Sequence, residues 1–96
     1  MHIAYGVTKI CRSAFAACSS LKSVTIPDSV EEIGDDAFSN CSSLESVNIG
    51  NSVTRIAEFA FGGTALASVV INVETVYIPF GERASFPTGC VVSYYS

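Results

Sequence analysis

Apolar and small side chains return at a fixed interval of 23 residues along this chain. Val7 to Ser29 and Val30 to Ser52 align without a gap, and the shared letters fall on Val7/Val30, Ile10/Ile33, Ala14/Ala37, Phe15/Phe38, Cys18/Cys41, Leu21/Leu44, Val24/Val47 and Ile26/Ile49. What recurs is a buried stripe, the mark of a stacked repeat architecture. A third copy begins at Val53, keeps Ile56, Ala60 and Phe61, puts Thr64 where the cysteines stood, and loses one residue before Leu66, Val69 and Ile71. Carried backward, the same interval sets Met1 and Ile3 on the positions of Val24 and Ile26, so the chain starts inside a strand. The pattern predicts one domain over 1–96: a partial repeat at 1–6, repeats at 7–29, 30–52 and 53–71, and a C-terminal cap at 72–96.

Within each unit, Leu-x-x-Val-x-Ile has the two-residue alternation of a strand that buries Val and Ile and turns the residues between them outward. Nearly a full repeat separates successive strands, too far for hairpins. They are expected to stack in parallel at about 4.8 Å per coil, one strand per repeat. Pro27, or Gly50-Asn51, ends the strand. Val30-x-x-Ile33 predicts a second short extended segment on the opposite side. Ala-Phe-x-x-Cys-x-x-Leu predicts a helical-type turn that brings the chain back, with Phe15, Phe38 and Phe61 stacked as a spine. Residues 73–78 follow the third strand too closely for a full return, and are expected to be either an extended segment on that opposite side or an irregular cap strand. Cys90 to Tyr95 reads as a last strand over the end of the stack, which solenoids need for solubility.

The run Ile-Gly-Asp-Asp-Ala-Phe-Ser-Asn-Cys-Ser-Ser-Leu-Glu-Ser-Val-Asn-Ile at 33–49 resembles the BspA-like, or Treponema-type, leucine-rich repeats of bacterial cell-surface proteins, and residues 1–71 share the pattern. The resemblance implies a leucine-rich-repeat solenoid of the α/β horseshoe class, mostly β. It also implies a place outside the cell or on its surface, and adhesion to a protein ligand such as the host matrix proteins fibronectin or fibrinogen. In such repeats the exposed face of the parallel sheet is the usual ligand platform. Here that face is Ser23, Ser46 and Ser68 in one row and Thr25, Asn48 and Val70 in the next, flanked by Lys22, Glu45 and Ala67. These rows are the candidate binding residues. A plain solvated sheet surface is the competing reading, since Ser and Thr lack the Trp, Tyr and Arg anchors of interface hot spots.

Composition narrows the classes further. With 49% hydrophobic residues, 15% charged and a mean hydropathy of +0.44, the 96-residue chain buries enough to fold. A net charge of -4 and a pI near 4.6 argue against nucleic acid or an anionic membrane as partner. No apolar run approaches the length of a membrane span, and the N-terminus lacks the basic and apolar regions of a secretory signal, which is absent or trimmed.

The residues that carry chemistry elsewhere are sparse. Cys18 and Cys41 occupy equivalent sites with α-carbons expected roughly 5 Å apart, within disulfide range, but a ladder of small buried thiols beside the Phe spine fits their replacement by Thr64 better. Cys11 takes the slot of Gly34 and Ala57; Cys90 lies in the cap. His2 stands alone at the terminus without triad partners. Glu31-Glu32 and Asp35-Asp36 would gather along one edge, yet Lys9 and Arg12 hold the matching places in the first copy, so no calcium site is expected. Asn40-Cys41-Ser42 fits a glycosylation sequon by chance, Cys41 being a core position. Tyr77, Tyr94 and Tyr95 are either C-terminal binding anchors or cap packing. The expected function is therefore a non-catalytic interaction module without metal or cofactor. The alternative is a spacer that associates end to end with copies of itself.

Overall fold

In the computed structural model, which describes residues 1–96, the 23-residue interval becomes a stack of parallel coils. Seven strands form: β1 (Lys9–Ile10), β2 (Ser23–Ile26), β3 (Glu32–Ile33), β4 (Ser46–Ile49), β5 (Arg55–Ile56), β6 (Ser68–Asn72) and β7 (Val91–Tyr95). β2 pairs with β4 in parallel, Ser23 opposite Ser46 and Ile26 opposite Ile49. On the other side of each coil, β1, β3 and β5 make a three-stranded parallel sheet, with Ile33 beside both Ile10 and Ile56. The opening residues begin a strand, as the backward extrapolation predicts. His2 bridges Thr25 in parallel, and the Met1 ammonium donates to the Ser23 carbonyl at 2.9 Å.

The return of each coil is not helical, and here the structure corrects the expectation of short helical turns. No helix is present. Along the second coil the amides of Ala37, Ser39 and Cys41 bond back three residues within their own turn, while those of Asp36, Phe38 and Asn40 donate across to Glu58, Ala60 and Gly62 of the next coil, at 2.7 Å for the last two. An α-helix would direct every amide along its own axis and leave none for the neighbour. The alternation is enforced by left-handed residues at equivalent places in three coils: Ser13, Asp36 and Phe59 at φ 56°, 58° and 55°, then Ala17, Asn40 and Gly63 at 59°, 59° and 73°. Left-handed backbone costs a non-glycine residue about 1–2 kcal/mol, which the bonds between coils offset.

Inside the stack, Phe15, Phe38, Phe61 and Phe86 form one column, with ring centroids 5.3, 5.2 and 5.4 Å apart and nearly parallel planes. Phe38 and Phe61 are fully buried beside Ile33, Ile56, Leu44 and Ile71. Phe15 is half-buried, stacked on Phe38 on one face only.

Residues 72–96 repeat the layout of the coils before them. Thr75 takes the place of Val53, is buried, and donates its hydroxyl to the Val53 carbonyl at 2.8 Å. Residues 72–75 turn, the Thr75 amide donating to the Asn72 carbonyl at 3.0 Å, and Val76 then bridges Arg55 in parallel, so of the stretch 73–78 expected to be extended only Val76 joins the second sheet. Ser85, fully buried, shares its one hydroxyl proton between the carbonyls of Ala57 and Ile56, at 2.9 and 3.1 Å, and accepts from the Ile78 amide, so its hydroxyl is fully satisfied at the join. β7 then pairs with β6 at the original interval, Ser68 opposite Val91 and Asn72 opposite Tyr95.

The sheet on the candidate platform is discontinuous. β4 and β6 are neighbours, yet no ladder joins them: β2–β4 and β6–β7 are separate two-stranded sheets. The last main-chain bond before the break is from the Ala65 amide to the Leu44 carbonyl, 2.9 Å. The break coincides with the residue missing from the third copy before Leu66.

Candidate functional site

Alternation in the strands places the six candidate residues as the sequence predicts, on the outer face. Ser23, Ser46, Asn48, Ser68 and Val70 are exposed and Thr25 is half-buried, while Val24, Ile26, Val69 and Ile71 point into the core. Their grouping differs from the two continuous rows expected. Ser23 stands beside Ser46 and Thr25 beside Asn48 in one sheet; Ser68 and Val70 stand beside Val91 and Ser93 in the other.

Between the two halves runs a cavity of about 510 Å³ lined by Ser46, Asn48, Ser68 and Val70 together with Asp28, Glu45 and Tyr95. Ser23 and Thr25 lie off it. Its floor is apolar: Val47 and Ile49 are half-buried, where Val24 and Ile26 one coil earlier are 2% exposed. Sequence reasoning misses Asp28 and Asn51 as wall residues, although their spacing of one repeat is a visible signal. They stack at the strand ends, where the Asn51 amide donates to Asp28 Oδ1 at 2.9 Å.

A second cavity, about 670 Å³, opens on the last coil between Phe59, Tyr77, Phe80, Phe86 and Tyr94. Tyr77 sets its ring edge-on to Phe86 and shares a short hydroxyl hydrogen bond with Tyr94. That bond, with some burial, pushes the Tyr77 phenol up to about 12. Large exposed apolar side chains concentrate in this coil: Val73, Val76, Ile78 and Phe80, the last 84% exposed.

The remaining candidates go to packing. All four cysteines are free, and the expected ladder of buried thiols holds only in part. Cys41 is buried and donates its thiol to the Phe15 carbonyl at 3.1 Å, whereas Cys18 is exposed. Burial pushes the Cys41 and Cys90 thiols above their ordinary value. Asp36 pairs with Arg83, which also reaches Glu58 and lies over the Phe59 ring. These exposed pairs contribute little to stability. No helix is long and apolar enough to cross a membrane.

Residues 1–82 match the family model for the BspA type leucine rich repeat region, in 6 copies. No curated protein matches the chain. Among solved structures, a leucine rich cell surface protein from Faecalibacterium prausnitzii A2-165 is similar over 100% of this chain and 32% of its own, at 26% identity and a TM-score of 0.71. The leucine rich repeat protein of T. pallidum is similar over 94% of this chain and 47% of its own, at 25% identity and a TM-score of 0.67. The chain thus spans about a third of one and about half of the other.

Proposed function

The chain belongs to the BspA-type leucine-rich repeat family, and from that premise we propose that it is a non-catalytic protein-interaction module of a bacterial cell-surface protein, binding its ligand through the outer face of β2, β4, β6 and β7. The observation that carries this reading is the row of exposed small polar side chains, Ser46, Asn48 and Ser68, along the wall of a cavity in that face. A solenoid offers an extended sheet surface by geometry, and small hydroxyl and amide groups leave it open to a partner's backbone. Host matrix proteins of the fibronectin and fibrinogen kind are the ligand class we assign. Binding of the intact chain to immobilised fibronectin and fibrinogen tests it. Ser46→Lys with Asn48→Lys should reduce that binding at least about tenfold, about 1.4 kcal/mol; unchanged binding by a folded variant rejects the face, and no binding by the wild type rejects the ligand class.

The exposed Val73, Val76, Ile78 and Phe80 favour a second reading, a spacer that associates end to end with its copies. Exposed large apolar side chains gathered in one coil point to an interaction surface. Sedimentation would then show wild-type oligomers that Val76→Lys with Phe80→Lys dissolves.

A further inference from the structure

We infer that the cavity of the last coil is an aromatic cage for a quaternary ammonium group of the choline type. The site goes beyond the sheet-face reading, for none of the six outer-row residues lines it. Half of the chain's aromatic residues gather there: Phe59, Tyr77, Phe80, Phe86 and Tyr94 line about 670 Å³, a volume ordinary for a small-molecule site. Tyr77 stands at 65° to Phe86 and at 42° to Tyr94, with centroids 5.7 and 6.4 Å away. These rings meet at angles, as the walls of a box do, whereas the spine rings lie flat on one another. Aromatic faces carry the negative part of the ring quadrupole and attract a cation within about 6 Å of the centroid. One ring of the cluster already does so. The Arg83 guanidinium, which does not line the cavity, lies 5.4 Å from the Phe59 centroid and is held there by Asp36 and Glu58.

What the wall lacks selects the occupant. Glu82 is the one charged side chain that lines the cavity, and no lysine or arginine does. The Tyr77 and Tyr94 hydroxyls bond to each other, so the wall offers ring faces and a carboxylate but few free hydrogen-bonding side chains. A lysine ammonium brings three donors and a sugar brings many hydroxyls, and groups desolvated without partners are costly. A quaternary ammonium carries a full charge and no N–H, so it leaves no donor unpaired against such a wall. The chain charge of -4 adds to the attraction. Phe80 lines the cavity yet is 84% exposed, which places it at the rim. Gly81 after it, at φ 96°, has nothing within 4 Å of its Cβ position, which leaves the loop room to set the ring against a bound cation.

NMR titration of the intact chain tests this with two probes, choline and its neutral tert-butyl analogue, in which carbon replaces the charged nitrogen. Choline should shift the ring protons of Tyr77, Phe80, Phe86 and Tyr94 to saturation and bind at least about tenfold more tightly than the analogue. Phe80→Ala and Glu82→Gln should each weaken choline at least about threefold. Should Phe80→Ala fail to fold, Glu82→Gln still decides; because it leaves the apolar side chains unchanged, it also separates the cage from end-to-end association. Co-sedimentation with phosphatidylcholine vesicles distinguishes the sources: pelleting that free choline competes away assigns a lipid headgroup, and choline binding without pelleting assigns a soluble or polymer-borne choline. Equal binding of choline and the analogue, no saturable shift with choline, or full binding by either folded variant overturns the cage. Any of these would leave the sheet-face reading standing, since that rests on fibronectin or fibrinogen capture and its loss in Ser46→Lys with Asn48→Lys.

Discussion

Phe86 stacks on Phe61 with ring centroids 5.4 Å apart and planes within 5°, although it lies two residues beyond the position the 23-residue interval assigns it. The extra length is taken up between Val76 and Phe86, where Pro79-Phe80-Gly81 loops outward and Phe80 is left in solvent. The column is thus kept by packing while the spacing along the chain gives way.

Truncating the column in its middle should be costly. Phe38→Ala removes a ring packed between Phe15 and Phe61 and should lower stability by about 3–5 kcal/mol, read from denaturant or thermal unfolding. Phe15→Ala, at the half-buried end, should cost clearly less; equal losses would mean that the rings do not form a graded stack.

The strands, their parallel order and the inner and outer faces were all legible, because period-2 alternation within a 23-residue repeat leaves few other ways to bury Val24, Ile26, Val47 and Ile49 together. The return segment is not legible, for a definite reason. Ala-Phe-x-x-Cys-x-x-Leu has helix-like spacing; Asp36, Asn40 and Gly63 are types that tolerate left-handed backbone, but Ser13, Ala17 and Phe59 at the matching places are not, and there the hydrogen bonds to the adjacent coil offset its cost. The missing residue before Leu66 was visible, but its effect on the ladder depends on how β4 and β6 meet. Phe86 escaped as a spine member because its interval differs.

Gly50 follows β4 where the chain passes close over Pro27. A Cβ there would lie 2.5 Å from the Pro27 carbonyl oxygen, which is backbone and has little room to give. Gly50→Ala should therefore destabilise by about 1–3 kcal/mol through overpacking, measured as a drop in melting temperature, and not gain the stability that Gly→Ala gives at permissive sites.

Tyr77 ties the last coil to β7 through Tyr94, and its phenol is pushed up to about 12 from an ordinary 10. The folded state holds this proton more tightly than the unfolded chain. The contribution is complete below pH 10 and is lost as pH rises through 12. Tyr94→Phe removes the main cause, so Tyr77 should then ionise nearer its ordinary value, seen in phenolate absorbance, and the alkaline fall in melting temperature should flatten.

Thiol reactivity should follow the stack. Cys41 and Cys90 carry thiols raised by burial, whereas Cys11 and Cys18 are exposed. Alkylation at neutral pH followed by mass spectrometry should label Cys11 and Cys18 well before Cys41 and Cys90. Early labelling of Cys41 would place it outside the core.

The stack of parallel coils, with a break between β4 and β6, is tested most directly by NMR contacts between strands and between rings. Cross-strand contacts are expected between Val24 and Val47 and between Val69 and Val92. Ring contacts should run in the order Phe15, Phe38, Phe61, Phe86, and hydrogen-bond couplings should join β2 to β4 and β6 to β7 but not β4 to β6. Antiparallel contacts, or a ring order that separates Phe61 from Phe86, would contradict the stack, and couplings running continuously from β2 to β7 would contradict the break.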